Sequence, residues 1–129
     1  MKIGIDASNI NDGGGITHLS QIIKNFNINQ STIDQIVIWG NKKSLSKIKN
    51  KKKIKKIILD SKYKNIFLRL FWQFFFFEKK LKKLKCNRAL ILGGISFLKK
   101  FPSTIIMQNI LPFDNNALKI LKTKKNIRL

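Results

Sequence analysis

Short apolar runs alternate along the chain with longer stretches of helical period, and the two kinds of segment follow each other in a regular order. Apolar residues that alternate or cluster over a few positions mark strands, whereas recurrence at three and four positions marks a helix. On that basis residues 2–6 form a first strand, and a Gly-rich loop over 7–15 leads into Ile16, Leu19, Ile22, Ile23 and Phe26, the single stripe of an amphipathic helix. Residues 33–40 read as a second strand that stops at Gly40-Asn41, 44–50 as a short surface helix capped by Ser44, and 54–59 as a third strand. The segment 66–85 contains no Gly or Pro, and Phe67, Leu70, Phe71, Phe74, Phe77, Leu81 and Leu84 fall on one of its helical faces, which is expected to pack on the sheet. A fourth strand over 88–92 ends in Gly93-Gly94, and a fifth over 103–108 follows Pro102. Leu111-Pro112 then breaks the chain before one more helix at 115–122.

Alternating strands and helices imply an α/β fold: a single Rossmann-like, doubly wound parallel sheet of about five strands, covered on both faces. The length suits one domain, spanning 1–129. In such sheets ligands bind beyond the carboxyl ends of the strands, where the strand order reverses. Here those ends carry Gly13-Gly14-Gly15, Gly93-Gly94 and Gln108-Asn109, so glycine and amide side chains collect where a ligand should sit.

Composition narrows the classes. A chain that is 43% apolar, with ten Phe and two Trp, can bury a core, which excludes disorder throughout. The lone Cys86 excludes a disulfide framework and a multi-Cys zinc site, and it fits a reducing compartment. The first residues enter an alternating run without the apolar core and cleavage site of a signal peptide, so a cytoplasmic location is expected. The formal net charge of +21 points to nucleic acid, to an anionic membrane or to nothing specific. Lys contributes 24 residues, Ile 22 and Asn 13, the residues of A- and T-rich codons, against only three Arg. A bidentate reader of phosphates or guanine edges would favour Arg, so the charge argues only weakly for nucleic acid.

Three adjacent glycines before a helix permit close backbone approach, and the helix N-terminus presents N–H groups to an anion; a plain strand-to-helix turn fits the same run equally well. A dinucleotide fingerprint fits poorly, because His18 falls where the third small residue belongs and Asp34 opens the second strand instead of ending it. No Gly-Lys-Ser/Thr follows, which excludes a P-loop. His18 lies one turn into the helix, within reach of a sugar hydroxyl or a phosphate, although an ordinary helix-surface role weighs more. Asp6 and Asp114 end or follow strands and face the cleft as a candidate carboxylate pair, with capping as the simpler role for each. The stretch 67–85 is too interrupted by Arg69 and Gln73 to span a bilayer. Trp72, Phe75 and Phe76 lie away from the core stripe beside Lys79, Lys80, Lys82 and Lys83, the description of a helix that docks at an anionic membrane surface. The competing reading is a wide core helix with a solvated basic end; the aromatic excess favours the interface. The lysine-rich run 42–56 reads as a solvated surface segment.

The opening Met1-Lys-Ile-Gly-Ile-Asp-Ala-Ser-Asn9, then Gly13-Gly-Gly15 opening a helix, and later Gln108-Asn-Ile-Leu-Pro-Phe-Asp114, resemble the N-terminal domain of the family 4 (group 1) glycosyltransferases of GT-B fold. The last of these segments is similar to the Asn-Met-Leu-Pro-Phe-Glu segment of bacterial surface-polysaccharide members. The resemblance implies retaining transfer of a sugar from a nucleotide-sugar to a glycan or lipid-linked acceptor, with no divalent metal and no cofactor besides the donor substrate. It matches Gly13, Gly14 and Gly15 to the loop that approaches the donor diphosphate. It puts Gln108 and Asn109 in the cleft segment, with His18 and Asp114 as further acceptor or cleft candidates, and it names no catalytic residue. The family's C-terminal, donor-gripping domain has no counterpart in these residues. The chain is therefore expected to be the N-terminal part of a truncated, split or two-chain enzyme, inactive without a second polypeptide. Rival readings are a basic nucleic-acid-binding protein, which would need aromatics free for stacking, and a nonfunctional fragment.

Overall fold

A computed structural model of the protein describes residues 1–26 and 32–107. Five parallel strands, β1 (Lys2–Ala7), β2 (Gln35–Gly40), β3 (Ile54–Ile58), β4 (Arg88–Leu92) and β5 (Ser103–Ile106), form one sheet in the order β3-β2-β1-β4-β5. The expected α/β, doubly wound parallel sheet is the observed one. β1 lies at the centre, paired with β2 through Ile5↔Ile38 and with β4 through Ile5↔Leu90. The chain steps outward from β1 to β2 and β3, then returns to the other side of β1 for β4 and β5. The order therefore reverses between β1 and β4, and the crevice at their carboxyl ends is the switch point of the sheet.

That reversal also sorts the helices onto opposite faces. Helices α1 (Gly13–Asn25) and α2 (Lys42–Ser46) join the strands on one side of the switch, and their Leu19, Ile23 and Leu45 pack with Ile5, Ile36 and Ile38. The long helix between β3 and β4 covers the other face, where Trp72, Phe77 and Leu81 pack with Val37, Trp39, Ala89 and Ile91. Ile36 and Ile38 belong to one core and Val37 and Trp39 to the other, the alternation of a strand buried on both faces. Cys86 is buried in the second core, where burial pushes its thiol upward from the ordinary range.

Several boundaries differ from the sequence expectation for local reasons. The glycines expected in the loop form the first turn of α1, with Gly13 in the left-handed region at φ 58°. The short helix starts two residues earlier than expected, because Asn41 rather than Ser44 caps it: the Asn41 side chain accepts the Ser44 N–H at 2.8 Å. The long helix is interrupted. It runs as α3 (Ile66–Trp72), a π-helical turn (Gln73–Phe77) and α4 (Glu78–Lys83). The end of the fifth expected strand, the break at Pro112 and the helix expected at 115–122 lie outside the described residues.

Candidate functional site

β1 delivers a carboxylate to the switch crevice. Positions 4 and 6 of this strand share the face that meets the long helix. Asp6 is buried there, accepting the Ser8 backbone N–H at 2.9 Å and the Gln73 Nε2–H at 2.6 Å. Gln73 also reaches the Ser8 hydroxyl at 3.4 Å. Burial pushes the Asp6 carboxyl above the usual aspartate range, while the bonds from Ser8 and Gln73 and, least, the charge of Arg69 pull it back.

The π turn explains how Gln73 comes to be there. Read back from Phe77 at regular α-helical spacing, the buried stripe would continue through Phe74, Leu70 and Phe67, as the sequence suggests. A π turn takes up one extra residue, and each residue is worth about 100° of rotation. The stripe N-terminal to it moves by one position, so that Gln73 and Arg69 turn inward with Trp72. Phe67, Phe71 and Phe74, expected on the core face, are exposed instead, Phe67 by 77%. Trp72, expected at a membrane interface, is only 4% exposed and packs against Phe77 with ring centroids 5.2 Å apart. Both corrections follow from that single added residue.

Arg69 is 8% exposed, and its guanidinium makes no hydrogen bond or ion pair among the described residues. It lines a cavity of about 110 Å³ together with Asn9, Gln73 and Gly93. The two sides of the crevice are tied across this cavity: Asn9 Nδ2 donates to the Gly93 carbonyl at 2.8 Å. Gly93 has φ 95°, and a Cβ there would lie 2.4 Å from Asn9 Nδ2, so the close approach requires glycine. Sequence reasoning treated Arg69 and Gln73 only as interruptions of an apolar stretch. Their spacing of four, one helical turn, was the signal that both share a face.

On the same edge of the sheet, α1 begins with Gly13, Gly14 and Gly15, and no side chain caps its first N–H groups. Asp12, at the N-cap position, is instead ion-paired with Lys43 of α2. A cavity of about 470 Å³ opens here, walled by Gly13, Ile16, Thr17, Lys43 and Lys47. The loop from β1 is held by Asn41, whose Nδ2 donates to the Ile10 carbonyl at 2.6 Å. His18 is exposed on α1. Gln108, Asn109 and Asp114 lie outside the described residues, so the expected pairing of Asp6 with Asp114 does too.

Away from the crevice, the outer face of the long helix exposes Phe75 and Phe76, as expected, together with Phe67, Phe71 and Phe74. Phe71 and Phe75 pack with ring centroids 4.5 Å apart and planes tilted by 42°, and Phe74 meets Phe97 edge-on at 5.8 Å. Lys79, Lys80, Lys82 and Lys83 are exposed on α4, and Lys99 lies 5.6 Å above the Phe74 ring. These neighbouring exposed rings form a patch rather than scattered single exposures. Among the described residues, no helix is long and apolar enough to cross a membrane. No family model, curated protein or solved structure matches the chain.

Proposed function

We propose that the chain is the acceptor-side Rossmann-like domain of a glycosyltransferase that moves a sugar from a nucleotide-sugar to a polysaccharide or lipid-linked acceptor at an anionic membrane face. The observation that carries the reading is the uncapped glycine N-terminus of α1, set on the same carboxyl edge as the switch crevice of a doubly wound sheet. Unpaired N–H groups and a helix dipole suit a diphosphate, and the three glycines let it approach the backbone. The resemblance of residues 1–15 and 108–114 to family 4 glycosyltransferases supplies the chemistry. A departing diphosphate is stabilised from both sides of a closed cleft, so this domain forms one wall and a donor-gripping domain forms the other. The phenylalanine face with its flanking lysines holds the domain at the lipid surface where such acceptors reside.

Two assays on the purified chain test the reading. In co-sedimentation with phosphatidylglycerol vesicles at moderate salt, the chain pellets, and it stays in solution with phosphatidylcholine alone; no binding to the anionic vesicles removes the membrane part. In a transfer assay with a panel of nucleotide-sugars and a lipid-linked acceptor, the isolated chain gives little or no product. Robust transfer by the chain alone overturns the division of labour between two domains.

A further inference from the structure

Arg69 is 8% exposed as a residue and lines a cavity, and its side chain makes no hydrogen bond or ion pair among the described residues. Since no fully shielded side-chain nitrogen or oxygen among the described residues lacks a partner, its unpaired N–H groups reach open space, and arginine does not give up its charge. Asp6 feels the Arg69 charge but does not bond to the guanidinium. That carboxylate is already engaged by Ser8 and Gln73, and no ion pair joins it to Arg69. The cavity wall opposite carries the Asn9 amide, tied to Gly93. Ile66, Leu70, Leu92 and Ile95 complete the lining, with Ile66 and Ile95 more than half exposed. A planar fork of N–H donors and an apolar lining describe a site for a charged head on a less polar body.

We infer that Arg69, with Asn9 across the crevice, binds an oxyanion group, phosphoryl or carboxylate, whose apolar substituent leaves over Ile66, Leu70 and Ile95. The cavity of about 110 Å³ is sized for such a head and the first atoms beyond it, not for a nucleotide. The π turn is the device that turns Arg69 into this cavity. The inference is independent of the transferase reading, because it concerns Arg69 and not the glycine turn of α1.

The test is a titration of the ¹⁵N-labelled chain at fixed ionic strength with inorganic phosphate, butyl phosphate and butyrate in separate arms. Saturable shifts are expected at the Arg69 Nε–H and the Gly93 amide. They should be stronger for a butyl compound than for inorganic phosphate, and the butyl phosphate and butyrate arms show which oxyanion is preferred. Arg69→Gln should weaken binding about tenfold or more, the loss of a charge-assisted hydrogen bond. The double variant Lys52→Gln/Lys55→Gln, at two exposed lysines away from the crevice, should bind as before. If Arg69→Gln does not fold, Arg69→Lys keeps the charge without the fork and is expected to bind more weakly than the wild type. Shifts confined to the lysine-rich surface of the wild type, or binding unchanged by the Arg69 substitutions, overturn the proposal.

Discussion

Gly4 and Asp6 stand two residues apart on β1 and face the same helix, yet they demand opposite things of it. A Cβ on Gly4 would lie 2.2 Å from Leu81 Cδ2 and 3.0 Å from the Trp39 ring, so the missing side chain lets α4 seat against the sheet. Gly4→Ala is expected to lower the unfolding free energy by about 1–3 kcal/mol, the usual penalty for overpacking. Adding Leu81→Val should recover part of the loss, a coupling that a double-mutant cycle on denaturant unfolding measures directly. At Asp6 the demand is for hydrogen bonds. Its folded-state carboxyl is shifted upward by burial, so the folded protein binds the proton more tightly than the unfolded chain does. The ionised carboxylate is therefore a liability at neutral pH that fades as pH falls through the raised value. Asp6→Asn should melt higher than the wild type at pH 7, and the gap should close on acidification; a gap that widens contradicts the assignment. Asp34 has the opposite sign. The N-terminal amine holds its carboxyl below the usual range, so that contribution is present above the ordinary aspartate value and is lost as pH falls through the depressed one.

At the scale of elements, the π turn decides which residues of the long helix see the sheet and which see solvent. Deleting Phe75 removes the one residue that the π turn takes up, so Gln73 and Trp72 come to stand three and four positions before Phe77 and the segment continues as a regular α-helix without turning its N-terminal half. Arg69, Trp72 and Gln73 then keep their inward face. The deletion variant is expected to keep its helical circular dichroism and the hydrogen bond between Gln73 and Asp6; loss of that bond would contradict the one-residue account of the turn. Replacing Phe71, Phe74 and Phe76 together by Ser leaves the register alone and is expected to remove most vesicle binding, whereas unchanged vesicle binding would show that the aromatic face is not the docking surface. Residue patterns made the strands legible, because buried parallel strands are runs of Ile, Leu and Val between glycines: the register of 88–92 matches β4 residue for residue. The helix face was not legible. A stripe drawn at constant 3.6-residue spacing assumes a regular helix throughout, and here the polar pair Arg69 and Gln73 wins the inward position because Asp6 needs a donor.

For the whole molecule, the reversal of strand order about β1 gathers three features on one edge: the glycine turn of α1, the Asp6–Gln73–Ser8 network and the Asn9–Gly93 tie. The glycines were visible in the sequence as a cluster at strand ends. The network was not, since Asp6 and Gln73 are 67 residues apart and meet only once the long helix crosses the sheet. The aromatic and basic face lies on the outer side of the same long helix, so a domain held at a membrane through the phenylalanines keeps α1 on the opposite face of the sheet, turned from the lipid. The central claim is that the carboxyl edge binds ligand, and the most direct test maps where a nucleoside diphosphate perturbs the amide spectrum of the labelled chain. The account predicts saturable shifts at Gly13, Gly14 and Gly15 that persist at moderate salt. Shifts spread over Lys79, Lys80, Lys82 and Lys83 and erased by salt, with the glycine amides unmoved, would contradict it.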